Sequence, residues 1–337
     1  MSSQHARQFS RRGFLSGLTL VGTDGLLGLH PRRAAAEPPP ETTRLRLPRY
    51  SVDIACLAPQ WVAEELLKAE GFTQVEYVPA DDQLRKLVTG DLDFFMHDPP
   101  GHILTIEAGE PTTVLGGLHG GCYELFAIDR IRSIRELKGK TVAVANVSRR
   151  AFVSAMATYV GLDPQKDITF VSPSPAEGMQ LLAEGKIDAL LGFPPEPQEL
   201  RAREIGHVVV STAVDRPWSQ YFCCMVGARR DFVRKNPAAT KRALRAMLKA
   251  VDVCTAEPER VAQFIVDKGY VRRKDYAFQA LKEIPYNRWR TYDSADTIRF
   301  YALRLNEAGM IKSSPQKILA QGTDWRFLNE LKKELKQ

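Results

Sequence analysis

The stretch GDLDFFMHDPP, residues 90–100, is answered later in the chain by GKIDALLGFPP, residues 185–195. Gly90 matches Gly185, Asp93 matches Asp188, and Pro99 and Pro100 match Pro194 and Pro195, all at an offset of 95 residues. In both copies a helical pattern stops at Gly, an Asp stands at the start of a short apolar run, and a Pro-Pro pair leaves the run's carboxyl end. Ligands of open α/β sheets collect outside the carboxyl ends of strands. The echo therefore predicts two α/β lobes that each offer a loop to a shared crevice. It is too widely spaced for a solenoid repeat.

Outward from these copies the chain keeps one grammar. RLRLPRYSVDIACLA reads as a strand and loop, PQWVAEELLKAEG as a helix, TQVEYVP as a strand and ADDQLRKLVTG as a helix. PPGHILTIEAG is a further helix, and PTTVLGGL and CYELFAI are strands. The second region repeats it with LKGKTVAVANV, a helix opened by Ser148 as N-cap, DITFVS, SPAEGMQLLAEG, KIDALLGF, PEPQELRARE and HVVVSTA. Alternating strands and helices predict an α/β fold with largely parallel sheets. After a last strand, YFCCMVGA, the chain reads as almost wholly helical to its end. The basic residues of KRALRAMLK fall on the solvated face of an amphipathic helix.

The first 36 residues belong to a different class. SRRGFLSG, the weakly apolar LTLVGTDGLLGL and HPRRAAA make a secretory signal, and Arg11-Arg12 before Phe14 and Leu15 resemble the twin-arginine motif. Residues 37–43 follow as a polar linker. The formal net charge of +7 includes five Arg and one Asp within residues 1–36, which leaves 42 basic against 39 acidic residues beyond them. Most of the basic excess thus leaves with the signal, and nucleic acid is not an expected partner. Cys56, Cys122, Cys223, Cys224 and Cys254 match no CxxC framework, so no metal is expected and buried free thiols are favoured over disulfides. No cofactor is expected, because no P-loop, dinucleotide, HExxH or GxSxG pattern stands in the right context.

Four segments then carry a resemblance: GDLDFFMHDPPGHILTIEAGEP (90–111), IRSIRELKGKTVAVANVSRRAF (131–152), EGMQLLAEGKIDALLGFPPEP (177–197) and CCMVGARRDFVRKNPAATKRALRAMLKAVD (223–252). In this order they resemble the periplasmic substrate-binding proteins of ABC transporters, in the branch serving nitrate, sulfonates, taurine and thiamine-pyrimidine precursors. The resemblance implies a type II periplasmic binding protein fold, with two α/β lobes, two crossing segments and a helical C-terminal tail. It places lobe 1 at residues 44–125 and 219–337, and lobe 2 at 126–218. It implies a monomeric, non-enzymatic protein of the periplasm that closes on a small solute and delivers it to an ABC permease. A sulfonate-like anion is favoured, with a heteroaromatic or cationic solute, or a sensing role, as alternatives, and an exported enzyme as a less favoured one.

Candidate ligand residues follow from the loops at the strand ends. Ser148 at a helix start, with Arg149 or Arg150, is a ready anion clamp. Gln60 and Trp61 occupy the first loop of lobe 1, and His97 and Asp98 precede the first Pro-Pro pair. Asp98 reads equally as the cap of the next helix, and His97 as a packing histidine. Gly121 allows a close backbone approach beside Cys122, and Glu124 in an apolar strand needs a partner, either a ligand amine or an Arg. Phe193 and Glu196 flank the second Pro-Pro pair, and Trp218 and Tyr221 are aromatic walls at the return crossing. Asp98→Ala and Arg149→Ala are each expected to weaken ligand affinity with little change in the unliganded Tm.

Overall fold

Asp93 and Asp188 do the same work in their two strands. The Asp93 carboxylate accepts the Arg46 backbone N–H at 3.0 Å and the Arg46 guanidinium at 2.9 and 2.7 Å, and its own N–H donates to the Arg46 carbonyl. The Asp188 carboxylate accepts the Thr141 N–H at 2.9 Å and the Arg130 guanidinium at 2.6 Å, and its N–H donates to the Thr141 carbonyl. Each Asp thus grips one residue of a neighbouring strand from both sides. Gly90 and Gly185, at φ +77° and +67°, make the left-handed turn that ends the preceding helix. The repeated letters are a repeated strand-start clamp.

The computed structural model describes residues 37–80 and 83–335, so the export segment expected over residues 1–36 lies outside the described residues. In chain order the elements are β1 Arg44–Arg49, α1 Ala58–Ala69, β2 Gln74–Pro79, α2 Gln83–Val88, β3 Phe94–His97, α3 Pro99–Glu107 and β4 Thr112–His119. Then come β5 Glu124–Ala127, β6 Lys140–Ala143, α4 Val147–Tyr159, β7 Ile168–Val171, α5 Pro175–Ala183, β8 Ala189–Gly192, α6 Glu196–Ala202 and β9 His207–Ser211. The chain returns through β10 Cys224–Arg229 to α7 Arg230–Lys235, α8 Pro237–Ala256, α9 Pro258–Asp267, α10 Lys274–Glu283, α11 Ser294–Glu307, α12 Pro315–Gly322 and α13 Arg326–Glu334.

The strands form a β1-β2 pair, a β3-β10-β4 sheet and a β7-β6-β8-β5-β9 sheet. β6 is parallel to β7 and β8, and β1 to β2, as expected from the alternating grammar. The sheets are nonetheless mixed. β5 runs antiparallel to β8 and β9, and β10 antiparallel to β3 and β4. β5 and β10 are the strands at which the chain passes from one sheet to another, and each enters its new sheet against the local direction. That corrects the expectation of largely parallel sheets.

Helix α8 lays Ala243, Leu244, Met247, Val251 and Cys254 into the core and packs along α1. Its basic residues are half-buried rather than on a solvated face as expected, because they are covered by acidic partners, Arg245 with Glu70 at 3.1 Å and Lys241 with Glu334 at 2.6 Å. Helices α7 and α12 were not read separately in the sequence. Ser314 caps α12 by accepting the Lys317 N–H, with Pro315 in its first turn.

Candidate ligand-binding cleft

A cavity of about 410 Å³ lies where β3, β6 and β8 end. One wall is apolar, formed by Ile54, Leu57 and Met96 with Tyr50 and Val52 at its side. The other presents Tyr123, Phe193 and the first turn of α4, with Cys224 also on the surface. A cleft with one apolar face and a few convergent polar groups is what a small organic solute needs.

The polar centre is Asp98. It caps α3, with Oδ1 accepting the Gly101 N–H at 2.7 Å and the Ser148 hydroxyl at 2.5 Å, while Oδ2 accepts the Tyr123 hydroxyl at 2.9 Å. Burial opposes ionisation, but the neighbouring His97 and these donors hold the Asp98 carboxyl well below its usual range. Burial also opposes a charge on His97, yet Asp98 outweighs it and raises the imidazole. Behind them burial pushes His102, whose Nε2 donates to the Met225 carbonyl, down to about 3, so it stays neutral.

Asn146, and not Ser148, is the N-cap of α4, and its Oδ1 accepts the Arg149 N–H at 2.9 Å. Ser148 is the second helical residue, which turns its hydroxyl toward Asp98. The Val147 and Ser148 N–H groups precede any intrahelical acceptor, and both residues, at the positive end of the helix, line the cleft. Arg149 also lines the cleft but is already engaged. Its two terminal nitrogens lie 3.0–3.1 Å from the Glu196 carboxylate, both residues are buried, and the guanidinium sits 4.5 Å over the Phe193 ring. Burial would lower the Arg149 guanidinium, and Glu196 outweighs it in the other direction.

Of the residues singled out in the sequence, His97, Asp98, Ser148, Arg149 and Phe193 meet at the cleft, and Glu196 stands directly behind Arg149. The others go elsewhere. Gln60 donates to the Pro48 carbonyl at 2.8 Å, and Trp61 stacks on Tyr270 at 4.3 Å, because the first turn of α1 faces the β1-β2 layer. Arg150 is exposed, with its guanidinium over Phe170. A Cβ on Gly121 would meet the Thr212 carbonyl oxygen at 1.9 Å, so the close approach is to the protein's own backbone. Cys122 and Glu124 line a separate recess of about 10 Å³. There Glu124 pairs with Arg201, and burial pushes its carboxyl up despite that partner. Trp218 packs edge-on against Tyr159 and Phe300, and Tyr221 stacks on Phe300 at 4.1 Å. Trp218 is buried there, and Tyr221 and Phe300 are half-buried, away from the cleft at the return crossing.

The sequence reading missed Tyr123, Asn146 and the Tyr50–Leu57 wall. Tyr123 was open to inference from alternation, because Cys122 and Glu124 cannot share a face with the residue between them. The expectation that Asp98→Ala and Arg149→Ala spare the unliganded Tm does not survive this geometry, since each removal strands buried partners.

Comparison with known proteins identifies the layout. The chain superposes on the nitrate-binding protein NrtA of Synechocystis PCC 6803 with a TM-score of 0.70 at 16% identity, covering 88% of this chain and 90% of that one. On the alkanesulfonate-binding protein SsuA of Xanthomonas axonopodis pv. citri, bound to MOPS, the TM-score is 0.68 at 14% identity, covering 86% and 100%. This is the periplasmic binding protein fold. Within that fold, residues 129–266 match the model of the NMT1-like family. The bicarbonate-binding protein CmpA of Synechococcus elongatus is 29% identical over 100 residues, which make 30% of this chain and 22% of CmpA. The match thus spans less than a quarter of that relative's length.

Proposed function

We propose that the chain is an extracytoplasmic solute-binding protein, which captures one small organic solute in the cleft and delivers it to an ABC permease. The observation that carries this reading is the convergence of the α4 N-terminus and Arg149 on a cavity also lined by the apolar Ile54, Leu57 and Met96. An anionic head of the sulfonate or carboxylate kind would take the Val147 and Ser148 N–H groups, with the Arg149 charge beside it. Its apolar body would lie against Ile54, Leu57 and Met96. Asp98 does not oppose such an anion strongly. Its charge is met by three hydrogen-bond donors, the Gly101 N–H and the Ser148 and Tyr123 hydroxyls, so it orients Ser148 and Tyr123. In this reading residues 1–36 direct export by the twin-arginine route to the periplasm, and the protein acts as a monomer.

A second reading is favoured by the aromatic residues Tyr50, Tyr123 and Phe193 together with the Asp98 carboxylate. That set suits a heteroaromatic or cationic solute. A thermal-shift screen over alkanesulfonates, nitrate, carboxylates, amines and pyrimidines separates the two. Saturable stabilisation by sulfonates or carboxylates, with the compound recovered unchanged, supports the anion reading. Stabilisation by amines or pyrimidines alone replaces it with the second. Turnover of the stabilising compound contradicts the binding-protein reading itself.

A further inference from the structure

Beneath the cleft, three distant segments bring sulfur and nitrogen together. Cys56 lies in the turn Ala55–Leu57, His119 ends β4, Cys122 follows the Gly120-Gly121 bend, and Cys224 starts β10. One ligand atom from each of these four buried residues lies within 4.8 Å of all the others. We propose that Cys56, His119, Cys122 and Cys224 form a site for one thiophilic d10 cation of the Zn²⁺ or Cu⁺ class.

The backbone is arranged to hold this set. Cys224 is the register partner of His119 across β10 and β4, and the Cys223 N–H donates to the His119 carbonyl at 2.9 Å. Gly121 lies against Thr212 with no room for a Cβ, which lets the chain bend Cys122 back toward His119. The Cys56 turn is held by the Ala55 N–H on the Pro194 carbonyl at 3.1 Å and by the Tyr286 hydroxyl on the Cys56 carbonyl at 3.3 Å.

The imidazole is the most telling member. Its Nδ1 lies 2.6 Å from the Gly120 carbonyl oxygen, which only accepts, so Nδ1 carries the proton. Nε2 therefore offers a lone pair, and it is buried without a hydrogen-bond partner. A histidine that gives one N–H to a backbone carbonyl and leaves the other nitrogen free is oriented as metal-binding histidines are. Buried cysteines alone are ordinary small hydrophobes, and that accounts for Cys254 on α8. It does not account for an unpartnered imidazole nitrogen among three thiols.

The dimensions and chemistry agree. Zinc–sulfur bonds of about 2.3 Å in a tetrahedron put sulfurs about 3.8 Å apart, so the set closes on an ion with shifts of about 1 Å or less. Three cysteines and one histidine are a closed tetrahedral donor set, and oxygen-preferring cations are disfavoured. On binding, the three thiol protons leave to solvent and the imidazole stays neutral. Cys224 also lines the cleft, which provides a path for the ion. Cys223 stands outside the four, with its Sγ 2.9 Å from that of Cys122, and is the competitor for that sulfur.

The test uses the full chain, stripped with a chelator under reducing conditions, then given Zn²⁺ and, separately, Co²⁺. The account expects one Zn²⁺ per chain, and tetrahedral d–d absorption with a thiolate charge-transfer band for Co²⁺. Cys56→Ser and His119→Gln should each lower Zn²⁺ affinity by about 100-fold or more. Cys223→Ser and Cys254→Ser should keep the stoichiometry. The proposal is overturned if the reduced wild-type chain retains no Zn²⁺, or if Cys56→Ser and His119→Gln hold it as tightly as wild type. Absent Co²⁺ charge transfer, or a Cys122–Cys223 disulfide that forms in the presence of Zn²⁺, also overturns it. The wild-type readouts stand even if a variant fails to fold.

Discussion

Arg149 lines the cleft and holds a buried ion pair, and its pairing with Glu196 separates the proposed binding role from the structural one experimentally. Removing one member leaves the other as an uncompensated buried charge, so Arg149→Met and Glu196→Met should each cost about 3–5 kcal/mol in urea unfolding. The double variant should recover most of that loss, yet still fail to bind an anionic solute. His97 and Asp98 set a pH window. Asp98, with its folded value lowered, contributes stability that is present above the ordinary Asp range near about 4 and lost as pH falls. His97, with its folded value raised, contributes stability that is full below about 6.5 and lost as pH rises through the folded value. The Tm advantage of wild type over His97→Asn should therefore be largest between about pH 4 and 6.5 and shrink as pH rises through the raised His97 value. At this scale the sequence was readable where a residue directly ends a strand: His97, Asp98 and Phe193 reach the cleft. Trp61, Trp218 and Tyr221 did not, because an aromatic at a loop or helix start is as easily stacked on a neighbouring ring. The sequence does not show which way a first helical turn faces.

The Asp93 and Asp188 clamps belong to the scale of elements, and burial ranks them. Asp93 is more deeply buried than Asp188, and Arg46 and Arg229 both reach it. Asp93→Ala should cost about 3 kcal/mol. Asp188→Ala, whose Arg130 partner is mostly exposed, should cost about 1–2 kcal/mol. Equal losses in denaturant titrations would show that the clamps do not scale with burial. These strands were legible because Gly, Asp and Pro have positional meaning that survives without a partner strand. The start of α4 was misplaced by two residues, since Asn146 and Ser148 both make good caps and tertiary contacts chose between them. The directions of β5 and β10 were not legible at all. Nothing local to a strand tells it which neighbour it will meet after crossing between sheets.

At the scale of the molecule, the echo between residues 90–100 and 185–195 led to the right architecture, because each copy ends a strand at one cleft. It did not identify the contents, which depend on Tyr123, Asn146 and the Ile54–Leu57 wall contributed by other segments. Val52 and Val147 are 48% and 65% exposed apolar residues on the lining of that cleft, as expected of a surface that a bound solute covers. Val147 also allows the cleft to be blocked without disturbing the core. Occupancy of this cavity by one small solute, as proposed, is open to titration calorimetry of the best stabilising compound on wild type and Val147→Trp. One solute should bind per wild-type chain, with an affinity about ten-fold or more weaker in Val147→Trp and an unliganded Tm that is unchanged. Undiminished binding by a folded Val147→Trp chain would place the solute elsewhere and contradict the account.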